Sequence, residues 1–291
     1  MSVQLKNIED LLKKNIEIIK PKRSVFDLRL REVWKYRDLL FMFVKRDFLA
    51  SYTQTILGPL WFFIQPIFTT LMFVFVFGNI AGISTDGQPK ILFYLSGLVI
   101  WNYFSDCLNK TANVFVANAG IFGKVYFPRL ITPLSIIVSG LLRFSIQFLL
   151  FIGVFIFYYF KGEVIFHWNA TIGILPVLLI LMAGFALGLG MIISSLTTKY
   201  RDLAMFIGFG VGLLMYATPV IYPSNSVPSK YLYIVNANPI SPIVETFRYA
   251  FLGSGSFSLM HLMYSLICML VFLFAGIIIF NKVEQNFMDT V

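Results

Sequence analysis

The amino-acid sequence predicts an all-α polytopic membrane protein with six transmembrane helices. Of its 291 residues, 58% are hydrophobic and only 13% are charged, whereas soluble proteins carry about 25% charged residues. The mean hydropathy of +0.80 agrees with this composition, and several apolar stretches reach the ~20 residues that a bilayer-spanning helix needs. These values exclude a soluble enzyme, a disordered chain and a nucleic-acid-binding domain.

Two charged segments precede the first apolar stretch. Residues 1–33 are predicted to be a cytoplasmic extension, with a short amphipathic helix over 5–20 that stops at Pro21. Residues 34–56 mix apolar and charged side chains too closely to cross a membrane, so we expect an amphipathic helix lying in the membrane interface. Its bases, which would anchor it to lipid phosphates, are Arg37, Lys45 and Arg46.

The transmembrane domain is predicted over residues 57–281, followed by a cytoplasmic tail over 282–291. Its six spans are expected at about 57–78, 91–110, 131–160, 170–196, 203–222 and 259–281. Between the last two spans, Pro239 and Pro242 separate two apolar patches that are each too short to span. We expect two short re-entrant helices there, because broken helices persist at membrane depth where protein shields their backbone. Two helices lying on the membrane surface are the alternative.

The distribution of positive charge favours an orientation with both termini in the cytoplasm. With six spans, eighteen of the 23 Lys and Arg residues fall on the side of the N-terminus, and four fall on the other side. Cytoplasmic segments of membrane proteins carry this excess of bases. Binding of nucleic acid is the weaker interpretation, because seven acidic residues are interspersed with the twelve bases that precede residue 57.

The sequence contains neither the motif of an ATPase nor that of an ion-driven carrier. The nearest match to a phosphate-binding loop, Gly120–Lys124, has the wrong spacing and no Ser or Thr after it. Asp106 is the one acidic residue inside a predicted span, whereas proton- and sodium-driven carriers use intramembrane acidic groups. His167 and His261 stand alone. We therefore expect no catalytic residue, no metal site and no bound cofactor in this chain.

Aromatic side chains are unusually frequent in the first two predicted spans, and they include Trp61, Trp101, Tyr103 and Phe104. Aromatic faces can stack on sugar rings and could line a path for a glycan. The alternative is that most of them face lipid or act as interfacial anchors.

Short motifs in a fixed order connect this sequence to a known family. They are YRDLL at 36–40, KRD at 45–47, GKVYFPR at 123–129, YRD at 200–202, PVIYP at 219–223, NPISP at 238–242 and ETFRY at 245–249. Over about residues 34–290 the sequence resembles ABC-2 type permeases that export polysaccharide, such as the O-antigen, capsule and teichoic-acid exporters. Two features depart from that pattern: residues 1–33 lie outside it, and Arg143 occupies a position where many relatives carry an acidic residue.

The resemblance implies a homodimer that works with two copies of a separate ATPase subunit, which would bind the ATP and Mg²⁺. The implied cargo is an undecaprenyl-linked polysaccharide, carried from the cytoplasm across the bacterial inner membrane, and the chain itself would not be an enzyme. Three alternatives stay open: the same fold moving a drug or a lipid, an integral-membrane transferase, and a passive channel.

The resemblance also assigns expected roles to particular residues. The first loop expected to contact the ATPase carries Ile121, Phe122, Lys124, Tyr126, Phe127 and Arg129, and the second carries Tyr200, Arg201 and Asp202. In the first loop, Phe122, Lys124, Tyr126 and Phe127 are expected to project into a cleft of the partner. On the outer side, the residues expected to form a gate or glycan-lining ring are Tyr222, Tyr231, Tyr233, Phe247 and Tyr249. Glu245 and Arg248 stand three positions apart on one predicted helix, and we expect them to pair.

Overall fold

The computed structural model describes residues 30–50, 53, 55–125, 127–165, 170–200 and 202–286. Within these ranges the regular structure is entirely helical. The helix predicted over 5–20 lies outside the described residues, as do most of the predicted extension and the end of the predicted tail.

In the part of the chain that the structure describes, two helices precede the first span, α1 (Leu30–Lys35) and α2 (Arg37–Ala50). The second corresponds to the predicted interface helix, although it is shorter than the expected 34–56. It buries Phe43 and Val44 against the rest of the chain, while Arg37, Lys45 and Arg46 stay exposed. Phe41 and Met42 are exposed as well, so the helix carries apolar side chains on its buried and its exposed surfaces, and its place in the membrane interface stays a prediction.

The remaining helices follow in chain order. They are α3 (Trp61–Phe73, entered by a 3₁₀ turn and continued by a π-helical segment), α4 (Lys90–Ala112), α5 (Val114–Phe122), α6 (Ile131–Phe160), α7 (Leu175–Thr197), α8 (Leu203–Tyr216), α9 (Leu232–Ala237), α10 (Ser241–Leu252) and α11 (Leu259–Asn286).

Five helical stretches of the described chain are long and apolar enough to cross a membrane. They are Gly58–Ile80, Lys90–Ala112, Ile131–Phe160, Thr171–Thr197 and Leu259–Glu284. The fifth predicted span, 203–222, is shorter than expected, because α8 has only 14 residues. At 1.5 Å per residue it rises about 21 Å, well below the ~30 Å of hydrocarbon in a bilayer. The helix ends at Tyr216, and the chain is irregular from Ala217 onward although Val220 and Ile221 continue the apolar composition.

Helix α4 is the centre of the fold. Its buried positions run from Leu92 to Ala112 and lie on every side of the helix, since α6, α7, α8 and α10 all pack against it. By contrast, α3, α6 and α11 leave many large apolar side chains exposed. In a membrane such faces meet lipid or another subunit, so their exposure carries none of the cost that it would have in water.

Helices α7 and α11 pack closely because glycine replaces a side chain at their contact. A Cβ atom added to Gly188 would lie 2.6 Å from the backbone nitrogen of Leu273. One added to Gly276 would lie 2.5 Å from the carbonyl oxygen of Gly188. Small residues of this kind allow the backbones of membrane helices to approach each other, which is a main source of their association energy.

Candidate functional site

An aromatic cluster holds the loop between α5 and α6. Its members are Phe43, Phe127, Phe122, Phe115 and Phe280, in spatial order. Neighbouring ring centroids are 5.6, 5.8, 6.0 and 4.5 Å apart along this series, within the range of favourable aromatic pairs. The aromatic cluster therefore joins α2, α5, α11 and the loop into one packed unit.

Burial corrects one expectation about this loop. Phe122 and Phe127 are each only 4% exposed, so their rings cannot project into a cleft of a partner. Apolar rings next to glycine and proline can form either a contact surface or an internal anchor of a loop. In this structure the two rings pack inside the chain, so they anchor the loop. Any role of these two residues in coupling is to hold the loop in place.

Arg129 also fixes the loop from inside. Its guanidinium lies 5.4 Å from the centre of the Phe122 ring and donates a hydrogen bond of 2.9 Å to the carbonyl oxygen of Glu284 near the end of α11. The side chain is 9% exposed. Arg129 therefore ties the loop directly to α11.

The exposed part of the loop is smaller than predicted and centres on Lys124 and Val125. Ile121 is partly buried, and Tyr126 lies outside the described residues. In the second loop, Tyr200 and Asp202 are exposed, while Arg201 is not described.

The Thr197 hydroxyl at the end of α7 donates a hydrogen bond of 3.2 Å to the carbonyl of Ala112. Because these residues end α7 and α4, the two loops leave the helical core on the same side.

The bases expected to anchor α2 make local contacts. Arg46 pairs with Asp47 at 2.8 Å and lies over the Phe43 ring at 4.6 Å. Arg37 lies 3.9 Å from Asp38 and 5.8 Å from the Trp34 ring centroid. These surface pairs contribute little to stability, and the anchoring of α2 by Arg37, Lys45 and Arg46 stays a prediction.

A buried network around Arg248 occupies the opposite end of α4. The guanidinium donates hydrogen bonds to the carbonyl oxygens of Pro219 and Val220 and lies 3.4 Å from the Ser96 hydroxyl. It also covers the Phe93 ring at 3.8 Å from the centroid. We call these residues, together with Glu245, the Arg248 network.

The expected pairing of Glu245 with Arg248 is confirmed, at 3.8 Å between their nearest charged atoms. The second carboxylate oxygen of Glu245 accepts a hydrogen bond of 3.2 Å from the backbone N–H of Ser256. Burial raises the pKa of the Glu245 carboxyl above its ordinary value, while the charge of Arg248 and the Ser256 amide act in the opposite direction.

The Arg248 network explains why α8 is short. The carbonyls of residues 219 and 220 accept hydrogen bonds from a guanidinium instead of from helical N–H groups, so the irregular chain after α8 is satisfied inside the protein. Gly97 makes room for this chain, because a Cβ there would lie 2.7 Å from the guanidinium and 2.9 Å from the Val220 oxygen. Sequence reasoning did not assign this role, although an arginine on the short segment that follows Pro239 and Pro242 was a visible signal.

The aromatic residues expected to line a channel fall into two groups. Trp101, Tyr103, Phe104 and Phe247 are all at most 3% exposed, so within this chain they pack in the core and do not line a path, which corrects that expectation. Trp61, Tyr231 and Tyr233 are exposed, whereas Tyr222 and Tyr249 are partly exposed. The phenol of Tyr222 donates to the Tyr216 carbonyl at 2.9 Å, and Tyr249 stacks on Phe257.

Comparison with known proteins identifies the family. The sequence pattern of the ABC-2 type transporters matches residues 38–252, from the start of α2 to the end of α10, which is well over half of the chain. The chain belongs to the ABC-2 type transporter family. Both ends of α4, with the aromatic cluster and the Arg248 network, therefore lie in or beside the matched region of an ABC-2 membrane domain.

Relatives of this ABC-2 chain match it over most of their length and of its own. It is 27% identical to the O-antigen export system permease protein RfbA of Klebsiella pneumoniae, over 87% of this chain and 94% of the relative. It is 26% identical to a protein of the same name from Myxococcus xanthus, over 90% and 98% of the two chains. The polysialic acid transport protein KpsM of Escherichia coli is 24% identical, over 82% and 91%.

Proposed function

We propose that this chain is the membrane subunit of an ATP-driven exporter that moves lipid-linked polysaccharide out of the cytoplasm across the bacterial inner membrane. The observation that carries the proposal is the match to O-antigen export permeases over nearly the full length of both chains. The sequence supplies no phosphate-binding loop of its own. The energy would therefore come from ATP and Mg²⁺ bound by a separate subunit.

The proposed assembly contains two copies of this chain and two ATPase subunits, with an undecaprenyl-linked glycan as the cargo. The exposed apolar faces of α3, α6 and α11 are available to lipid and to a second copy. We place both termini in the cytoplasm because of the positive charge near the N-terminus. This orientation requires an even number of crossings, and we propose six, with α8 and the irregular residues after it as the fifth.

The contacts at the loop side of α4 suggest how the partner's motion would enter this chain. A push on Lys124 and Val125 would reach α5 directly and α2 and α11 through the aromatic cluster, since Arg129 ties the same loop to Glu284. Tightly packed units move as rigid bodies between discrete arrangements, which suits a conformational cycle driven by ATP binding elsewhere.

At the other end, α9 and α10 are proposed to be the re-entrant pair of the outer side. The buried position of α10 favours this arrangement over two helices lying on the membrane surface, since ten of its twelve residues are buried. Tyr231 and Tyr233 are more than half exposed, and together with Tyr222 and Tyr249 they are the proposed aromatic gate. Aromatic rings suit a sliding glycan because stacking does not depend on one fixed sugar.

Complementation tests this proposal. The chain would be expressed with its ATPase in a strain that makes a lipid-linked O-antigen but lacks its own export permease. We expect polysaccharide to return to the cell surface, and a catalytically inactive ATPase should leave it trapped on the cytoplasmic side. Export of an unrelated lipid or drug, with the polysaccharide still trapped, would contradict the proposal.

A further inference from the structure

A basic cavity of about 560 Å³ lies where α2, α4, α5 and α6 meet. It is on the loop side of α4, about 20 Å along the helix from the Arg248 network. The polar residues that matter most in its lining are Arg46, Asn109, Lys110, Asn113, Asn118 and Arg143. The cavity is separate from the aromatic gate and from the exposed coupling residues Lys124 and Val125.

Arg143 is the unusual member of this lining. It lies in the middle of the long apolar helix α6 with a side chain only 10% exposed, and its nearest acidic partner is Asp106, at 3.6 Å. Its Nε atom is buried without a hydrogen-bond partner. A buried guanidinium carries five donors and loses hydration that one long ion pair does not replace. A further acceptor entering the cavity would complete its hydrogen bonding.

The rest of the lining is also rich in donors. Arg46 and Lys110 add two positive charges, and the carboxylate that lines the cavity, Asp47, is already paired with Arg46 at 2.8 Å. The amide nitrogens of Asn113 and Asn118 each donate one hydrogen bond of 2.9 Å to a backbone carbonyl. Each amide keeps a second N–H. The cavity therefore offers cationic and neutral donors together.

We propose that the basic cavity binds the phosphate groups of a lipid headgroup. Arginine with lysine and amide donors is the combination that recognises phosphate oxygens, because the planar guanidinium can donate two parallel hydrogen bonds. The wall formed by α2, an amphipathic helix of the interface type, places the cavity at the depth where lipid phosphates lie. Building on the proposed function, we assign the occupant as the pyrophosphate of the lipid-linked glycan.

The role of Asp106 separates this proposal from a purely structural ion pair. If Asp106 and Arg143 only stabilise the fold, replacing either one weakens the same interaction. If Arg143 binds phosphate, the nearby carboxylate opposes the anion and competes for the guanidinium. Asp106→Asn should then strengthen binding of the lipid, while Arg143→Gln weakens it.

The test measures how much lipid the transporter with its ATPase subunits retains in phosphatidylcholine nanodiscs. Undecaprenyl pyrophosphate or phosphatidylglycerol would be added in rising amounts, and retained lipid counted by native mass spectrometry. We expect retention of undecaprenyl pyrophosphate to fall about tenfold or more in Arg143→Gln and to rise in Asp106→Asn. It should fall less in Arg143→Lys than in Arg143→Gln, because lysine keeps the charge but not the parallel pair of donors. Lys161→Gln, in a loop at the other end of α6, is the matched control and should bind like the wild type.

Each result decides one point. If the wild type retains phosphatidylglycerol as well as undecaprenyl pyrophosphate, and Arg143→Gln loses both, phosphate binding is supported but the cavity is assigned to bilayer lipid. Unchanged retention in Arg143→Gln, or equal losses in Arg143→Gln and Asp106→Asn, would overturn the proposal. If Arg143→Gln does not fold, Lys110→Gln takes its place with the same expectation. If the variants change lipid retention as expected but the wild-type chain exports no polysaccharide in cells, the proposed function alone is refuted. If the wild-type chain exports polysaccharide but the variants retain lipid like the wild type, the cavity proposal alone is refuted.

Discussion

The Arg248 network makes a quantitative prediction about stability. Arg248→Met keeps most of the side-chain volume but removes the donors to two carbonyls and leaves Glu245 buried without its ion partner. Removing one member of a buried pair costs about 3–5 kcal/mol. For a chain of this size, each kcal/mol lowers the unfolding temperature by roughly 2–4 °C. We therefore expect a decrease of about 10 °C.

The assay is the loss of the monodisperse gel-filtration peak after heating the purified chain in detergent. Adding Glu245→Gln to Arg248→Met removes the orphaned charge and should restore roughly 1–2 kcal/mol. The double variant should still be less stable than the wild type, since the carbonyls of Pro219 and Val220 remain without donors. Gly97→Ala, which places a methyl group against the same atoms, should also destabilise. A wild-type unfolding temperature for Arg248→Met would refute this account of the network.

Three further predictions concern coupling, packing and the gate. Lys124→Glu should reduce two quantities severalfold, the amount of ATPase that copurifies and the rate of export, at an unchanged unfolding temperature. Lys161→Glu should reduce neither, and equal behaviour of the two variants would contradict the coupling assignment. Gly188→Val should separate α7 from α11 and cost about 2–4 kcal/mol in thermal unfolding, and a stable variant would show that the helices do not pack at this contact. The pair Tyr231→Ala and Tyr233→Ala should slow export while ATPase binding persists, and undiminished export would remove the gate.

Much of the fold could be predicted because hydrophobic length is a strong signal. Five helices long and apolar enough to span a membrane lie close to predicted spans, and Glu245 pairs with Arg248 as their spacing indicates. The short α8 could not be predicted in this way. Its end depends on a guanidinium that arrives from α10, about thirty residues later, and neither composition nor periodicity reports such a tertiary contact.

Exposure was the weakest part of the site prediction. Phe122 and Trp101 have the residue type expected of a contact surface or a channel wall, yet both are buried. In a membrane protein an apolar side chain can face lipid, a partner or the core at similar cost, so residue type does not select among them. Arg143 is more informative, because a charge on a long apolar helix requires a polar partner, and its side chain lines the basic cavity.

The central claim, that this chain is a conduit driven by another subunit, is tested most directly by reconstitution. Vesicles would contain the chain with its ATPase, and a lipid-linked polysaccharide on the ATP-accessible face would be followed to the opposite face with an impermeant glycan-binding probe. We expect transfer only when both ATP and a catalytically active ATPase are present. Transfer at the same rate by the chain alone would contradict the claim.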